Sequence, residues 1–200
     1  MRRAFSFCRL PPGSLNISFS TSPVLYRARA PYDTVTRTIT LTVWIGLMAL
    51  LAFIIHLMVI HEVPMETFTT VTSLMFVVIL GILIGAYLFS PKEYELTLDG
   101  LIVRRVIRSF KIPYRNITEV KRIRWTWKGI RWCASGGIYG FYGLFWKSGI
   151  GNVWMYVKDR SKMILIRTAD KTQYAISPEN PDEFLRKLEE ILKRERNRKF

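Results

Sequence analysis

The stretch EYELTLDGLIVRRVI, Glu93 to Ile107, reads as two β-strands joined at Asp99-Gly100. Asp-Gly is a strong hairpin signal, because a type I′ turn needs positive φ at its centre. The stretch also marks a change of character along the chain. From Ile39 to Phe89 the only formal charges are Glu62 and Glu66, whereas Lys and Arg are frequent from Lys92 onward. The formal net charge of +15 over 200 residues comes mostly from that second region.

Upstream of the hairpin lie two apolar runs, ITLTVWIGLMALLAFIIHLMVI (39–60) and FTTVTSLMFVVILGILIGAYLF (68–89), neither containing Lys, Arg, Asp or Glu. About 20 helical residues cross a hydrocarbon core, so each run is long enough to span a bilayer. A cleaved signal peptide fits poorly, since the first run is too long and starts too far from Met1. The connector HEVPMET, His61 to Thr67, is short enough to make the pair a helical hairpin. Arg27, Arg29 and Arg37 precede the first run, Lys92, Arg104 and Arg105 follow the second, and the connector has no Lys or Arg. The positive-inside rule then places both termini in the cytoplasm, on a plasma (inner) membrane, and puts Trp44, Tyr87 and Phe89 near the interfaces. Gly81-x-x-x-Gly85 fits either close packing of two helices or a plain small-residue face inside the hairpin. The expected organisation is a flexible basic arm over 1–37, the two spans within 38–90, and a cytoplasmic domain over 91–200. The end of the arm, Tyr26 to Arg37, would approach the bilayer with its arginines on anionic headgroups.

Downstream, the pattern stays β-rich. IPYRNITEVKRIRW offers a strand at 117–123, and NVWMYV, KMILIRT and TQYAIS follow with turns between them, as in an antiparallel sandwich or barrel. The end is helical. Asn180 fits an N-cap, Pro181 the first helical position, and Asp182 and Glu183 the first turn. Phe184, Leu185, Leu188, Ile191 and Leu192 make one apolar face to cover the β unit. The fold class is therefore α+β: a transmembrane hairpin followed by a β-sandwich or barrel with a C-terminal α-helix.

This order resembles the pleckstrin-homology (PH) architecture, and specifically the bacterial PH-like domains found beside membrane spans. The parts that carry the resemblance are YELTLDGLIVRR, IPYRNITEVKRI, GGIYGFYGLFWKSGIGNVWMYVKD, KMILIRTADKTQYAISP and SPENPDEFLRKLEEI, in that order from Lys92 to Leu192. The resemblance implies a fold more than an activity.

The segment SGGIYGFYGLFW, 135–146, is the least ordinary part of the domain. One use is structural, with Tyr139, Phe141, Leu144 and Phe145 packed along the sheet and Gly136, Gly137, Gly140 and Gly143 making bends. The other is interfacial, with Trp125, Trp127, Trp132, Tyr142 and Trp146 at headgroup depth. A partner-binding patch is a third. Arg104, Arg105, Arg108, Lys121, Arg122 and Arg124 are the candidate contacts with an anionic membrane surface, with Trp132 and Trp146 as interfacial aromatics. A solvated strand face would show the same charges.

The favoured reading is non-enzymatic: a membrane protein whose domain binds anionic lipid headgroups, a protein partner or copies of itself. Nucleic-acid binding through basic and aromatic residues is the alternative, and an uncharacterised enzyme a more distant one. The domain has no His, its single cysteine, Cys133, has no imidazole to activate it, and no P-loop, dinucleotide fingerprint or nucleophile elbow occurs. No cofactor or metal is expected. Cys8 and Cys133 lack the spacing of a metal or redox pair and read as free thiols.

Overall fold

A computed structural model of the chain describes residues 23–123 and 129–197, and of Gly129 and residues 131–133 it describes only the backbone. Two apolar helices, α1 (Thr34–Ile60) and α2 (Met65–Phe89), form the expected hairpin. At about 1.5 Å per residue, the 27 residues of α1 and 25 of α2 are each close to 40 Å long. Their only buried residues are Thr36 and Leu83. Phe53, Leu74, Phe76 and Val77 are all more than half exposed, which is the pattern of helices whose solvent is lipid rather than the core of a soluble protein.

The rest is β-rich. Strands β1 (Val24–Arg29), β2 (Pro91–Thr97), β3 (Gly100–Arg105) and β4 (Phe110–Pro113) form one antiparallel sheet in the order β1-β2-β3-β4. Strands β5 (Ile117–Ile123), β6 (Gly129–Gly136), β7 (Phe141–Lys147), β8 (Gly151–Val157), β9 (Met163–Thr168) and β10 (Gln173–Ile176) form a second, in the order β5-β9-β10-β8-β7-β6. All its pairs are antiparallel except β8 with β10, which run parallel because the β9–β10 hairpin inserts between β5 and β8. Helix α3 (Pro181–Asn197) closes the unit.

Two expectations are corrected. The arm over 1–37 is not without structure throughout: β1 pairs with β2 from Val24↔Thr97 to Arg29↔Glu93, and α1 begins at Thr34. Tyr26, Ala28 and Ala30 turn toward the core, while Arg27 bonds Glu95 at 2.8 Å. Residues 1–22 lie outside the described part. The second correction concerns the Asp99-Gly100 hairpin. It is present, but neither residue has positive φ, so the turn is not type I′. Gly100 is needed for a different reason: a Cβ there would lie 2.6 Å from the Ile112 carbonyl oxygen on β4.

The main core lies between the sheets and under α3. Tyr94, Leu96, Leu101 and Val103 from the first sheet meet Ile164, Ile166 and Ile176 from the second, with Phe184 and Leu188 of α3 fully buried among them. Tyr94 donates its hydroxyl proton to the Tyr156 carbonyl at 2.5 Å, which satisfies the one polar atom it brings into this core. On the outer face of the first sheet the fully buried Glu95 carboxylate is held by Arg27 on β1 and by Arg104 on β3 at 2.6 Å, tying three strands together. A smaller cluster, Phe141, Phe145, Val153, Met155, Met163 and Leu165, lies on the opposite face of the second sheet and receives Ile39 from α1.

If α3 closes the main core, Phe184→Ala should cost about 3–5 kcal/mol and Leu188→Ala about 2–5 kcal/mol. Denaturant unfolding of the full chain in detergent reads this as a lower midpoint. Unchanged midpoints in both variants would remove α3 from the core.

Candidate membrane-facing site

The chain leaves β1 at Arg29, passes through both helices and returns into β2 at Pro91, and Arg29 pairs with Glu93. Both helices therefore meet the domain at one end. Strand direction sorts the loops between this helix end and a far end. The seven residues of β2, at about 3.3 Å each, carry the Leu98–Asp99 turn roughly 20 Å away. The β6–β7 tip (137–140), the β3–β4 loop (106–109) and the β8–β9 connection (158–162) lie at the helix end.

The glycine-aromatic segment is the main clamp at this end. Its tip has Gly137 at φ +119°, Tyr139 at φ +56° and Gly140 at φ +138°, closed by a Gly137 N–H to Gly140 carbonyl bond of 3.0 Å. This sharp turn places Tyr139 between the two helices. Trp44 of α1 donates its indole N–H to the Tyr139 hydroxyl at 3.0 Å, and the Tyr87 ring of α2 meets the Tyr139 ring edge-on at 5.6 Å. Thr40 accepts the Tyr139 N–H at 3.1 Å, Ser90 donates to the Tyr139 carbonyl at 2.7 Å, and Tyr142 donates to the Ala86 carbonyl at 2.7 Å. Gly137 allows the close approach, since a Cβ there would lie 2.8 Å from Ile39 Cδ1. Phe141, Leu144 and Phe145 are buried along β7, so the segment is core along its length and a dock for both helices at its tip.

The β8–β9 connection grips the start of α1. The Lys158 carbonyl accepts the Thr36 hydroxyl at 2.8 Å and the Asp33 N–H at 3.4 Å. The ammonium of the buried Lys158 sits 4.0 Å from the ring centroid of the partly exposed Tyr32, a cation–π contact. Burial, and then the charge of Lys92, push its pKa down to about 8. Burial also raises the Tyr32 phenol.

The sequence-derived basic residues do not share one face. Arg104 pairs with Glu95 on the outer face of the first sheet, while its neighbour Arg105 points inward. The Arg105 guanidinium lies over the rings of Phe110 and Tyr156 at 5.5 and 5.4 Å and donates through Nε to the Arg108 carbonyl at 2.9 Å. Burial lowers its pKa. Lys121 pairs with Glu119 at 3.3 Å and Arg122 with Asp182 at 2.6 Å. Arg108 is exposed in the β3–β4 loop and makes no ion pair among the described residues. Arg124 lies outside the described residues, as do Trp125 and Trp127, and the side chain of Trp132 is not described. Trp146 is partly exposed, but it lies near the far end, paired with Asn152 beside the β7–β8 turn.

The helix end instead collects the exposed cations Arg37, Lys92 and Arg108, together with Lys162, which lies 4.0 Å from Asp159. These come from α1, β2 and two separate loops, so no run in the sequence announces them; only the topology brings them to one level. They make a rim of cations at the same end as Tyr32, Trp44, Tyr87 and Tyr139. Such a rim can hold anionic groups by charge. Among the described residues no three His, Cys, Asp or Glu side chains come together as a metal site. A separate groove of about 380 Å³ runs between the β5 edge and α3, lined by Thr118, Val120, Arg186, Leu192 and Lys193.

A family model described as a bacterial PH domain matches residues 92–192. Neither a curated protein nor a solved structure matches the chain. The match begins at β2, so β1 and both helices lie outside it, although β1 completes the first sheet.

Two outcomes follow from the clamp. Gly137→Ala sets a methyl against Ile39 at an unfavourable φ, whereas Gly149→Ala, at φ +82° with open space around it, carries backbone strain alone. Each strained position costs on the order of 1–3 kcal/mol. Thermal unfolding in detergent should show Gly137→Ala below Gly149→Ala, and equal losses would mean that the tip does not press on α1. The second outcome concerns pH. An unfolded chain releases a lysine proton at about 10.4, while folded Lys158 releases it at about 8. Between about pH 8 and 10 the unfolded state holds more protons, so this group makes stability rise with pH. Above that window Tyr94 and Tyr156, raised to about 12 by burial, act in the opposite direction. Lys158→Met should remove the rise; a rise that persists would assign it elsewhere.

Proposed function

The chain belongs to the bacterial PH domain family, and from that premise we propose that this membrane-associated protein is a non-enzymatic integral protein of the plasma (inner) membrane, with both termini cytoplasmic. Its PH-like domain binds anionic lipid headgroups at its helix end. The observation that carries this reading is the double attachment. The β1–β2 ladder joins the outer ends of both helices, and the Tyr139 tip is bonded to both helices near the same level. A domain held in this way is a fixed platform rather than a module on a swinging tether. Its cations at the helix end then face the headgroup layer, where each is worth about 1 kcal/mol against an anionic surface.

The Leu98–Asp99 turn, the first hairpin of the matched region, lies at the far end. Charge toward the leaflet comes from the other ends of these strands. The connector, with Glu62 and no Lys or Arg, supports an outward hairpin tip.

The full chain provides the test, since a fragment starting at Lys92 lacks β1. In a background without native cysteines, an impermeant maleimide on intact cells should label Pro64→Cys and spare Glu190→Cys; the reverse pattern would overturn the orientation. In detergent, the protein should retain phosphatidylglycerol over phosphatidylcholine by native mass spectrometry. That preference should weaken with salt and in the triple variant Arg37→Ser, Lys92→Ser, Arg108→Ser. Equal retention of both lipids would reject headgroup binding and favour a protein partner, for which the β5–α3 groove is the available place.

A further inference from the structure

The β3–β4 loop, Val106 to Ser109, carries two adjacent apolar side chains in the open: Val106 and Ile107 are each 40% exposed. Single exposed apolar residues are ordinary, but this pair has a fixed address. The Ile107 N–H donates to the Leu88 carbonyl at 3.1 Å, in the last turn of α2. That carbonyl is among those a helix leaves unpaired at its C-terminus, so the loop completes the end of a spanning helix. A segment bonded to this turn cannot choose its depth. It must sit where Tyr87 and Phe89 sit, at the boundary between acyl chains and headgroups.

The loop is also built to keep its shape. Arg108 takes φ +58°, an unusual conformation for a side chain of its size. The Arg105 guanidinium holds the Arg108 carbonyl from below while stacked on Phe110 and Tyr156. The turn is thereby pinned to the core, with Val106, Ile107 and the Arg108 side chain directed away from it. Apolar residues that enter a bilayer surface from one side reach about 5–10 Å into this boundary.

We infer that Val106 and Ile107 form a third membrane contact, a wedge set in the bilayer surface beside α2, with Arg108 on lipid phosphates above it. Lipid is the occupant because the wedge is continuous with the lipid-exposed surface of α2. Leu98, also exposed, has no such neighbour and lies at the far end. The inference rests on the reading that α1 and α2 span the bilayer.

Site-directed spin labelling of the full chain, in nanodiscs of mixed phosphatidylcholine and phosphatidylglycerol, separates the two. Cysteines are placed singly at Ile107, Val106, Leu98 and Val77, with native cysteines replaced. The expected ratio of oxygen to nickel-chelate accessibility is highest at Val77, intermediate at Val106 and Ile107, and several-fold lower at Leu98. Positions 106 and 107 as open to the nickel chelate as 98, with 77 still deep, would overturn the wedge and leave the spans intact. Shielding of 106 and 107 from both reagents would overturn it in favour of a protein contact. Exposure of 77 to the nickel chelate would remove the spans and the wedge together.

Discussion

The pairing of β1 with β2 governs this molecule. A strand that precedes the first apolar helix and a strand that follows the second lie side by side in one sheet, from Val24↔Thr97 to Arg29↔Glu93. The helical hairpin is therefore an insertion in the sheet rather than an appendage in front of it. The strands flanking it are held at the spacing of neighbouring strands, about 4.8 Å, so α1 must start and α2 must finish at the same end of the sheet. The Glu95 carboxylate reinforces the arrangement by binding Arg27 on β1 and Arg104 on β3 at once. Removing β1 would leave that carboxylate with one partner and open the core beside Phe184, where the Tyr26 ring packs at 6.1 Å.

From this constraint the rest follows in order. Helices that emerge from one edge of a sheet would still be free to tilt, and the tip around Tyr139 removes that freedom by bonding to α1 and α2 together. The orientation of the strands then decides which loops lie at the helix end. It selects the β6–β7 tip, the β3–β4 loop and the β8–β9 connection, and sends the Leu98–Asp99 turn away.

Much of this was legible in the sequence, and the remainder was hidden for identifiable reasons. The helices were plain because an uncharged run of such length has few other uses, and α3 was plain because Asn180, Pro181 and its apolar face agree. The hairpin at Asp99-Gly100 was legible as a hairpin. Its glycine was read for φ when the structure uses it for closeness to β4. Strand β1 escaped notice because it is six residues long, alternates arginine with alanine, and has its partner beyond both helices. The named basic residues do not all share a face, for a reason of pleat. Arg104 and Arg105 are neighbours in sequence, but a strand sends consecutive side chains to opposite faces. One entered an ion pair and the other the core. Cations that do share a level, such as Arg37, Lys92 and Lys162, are scattered along the chain and only the topology gathers them.

The insertion also imposes a schedule on biogenesis. During synthesis β1 is made first and has nothing to pair with, because its partner lies beyond both helices. The first sheet cannot close until Pro91–Thr97 has been made. Closure of so long a loop is slow and costly in entropy unless something brings its ends together. The paired helices do that, since α1 begins and α2 ends at this end of the sheet. A chain in which β1 did not reach β2 would carry an unpaired β2 edge and an open core, which are the features that aggregation and proteolysis select.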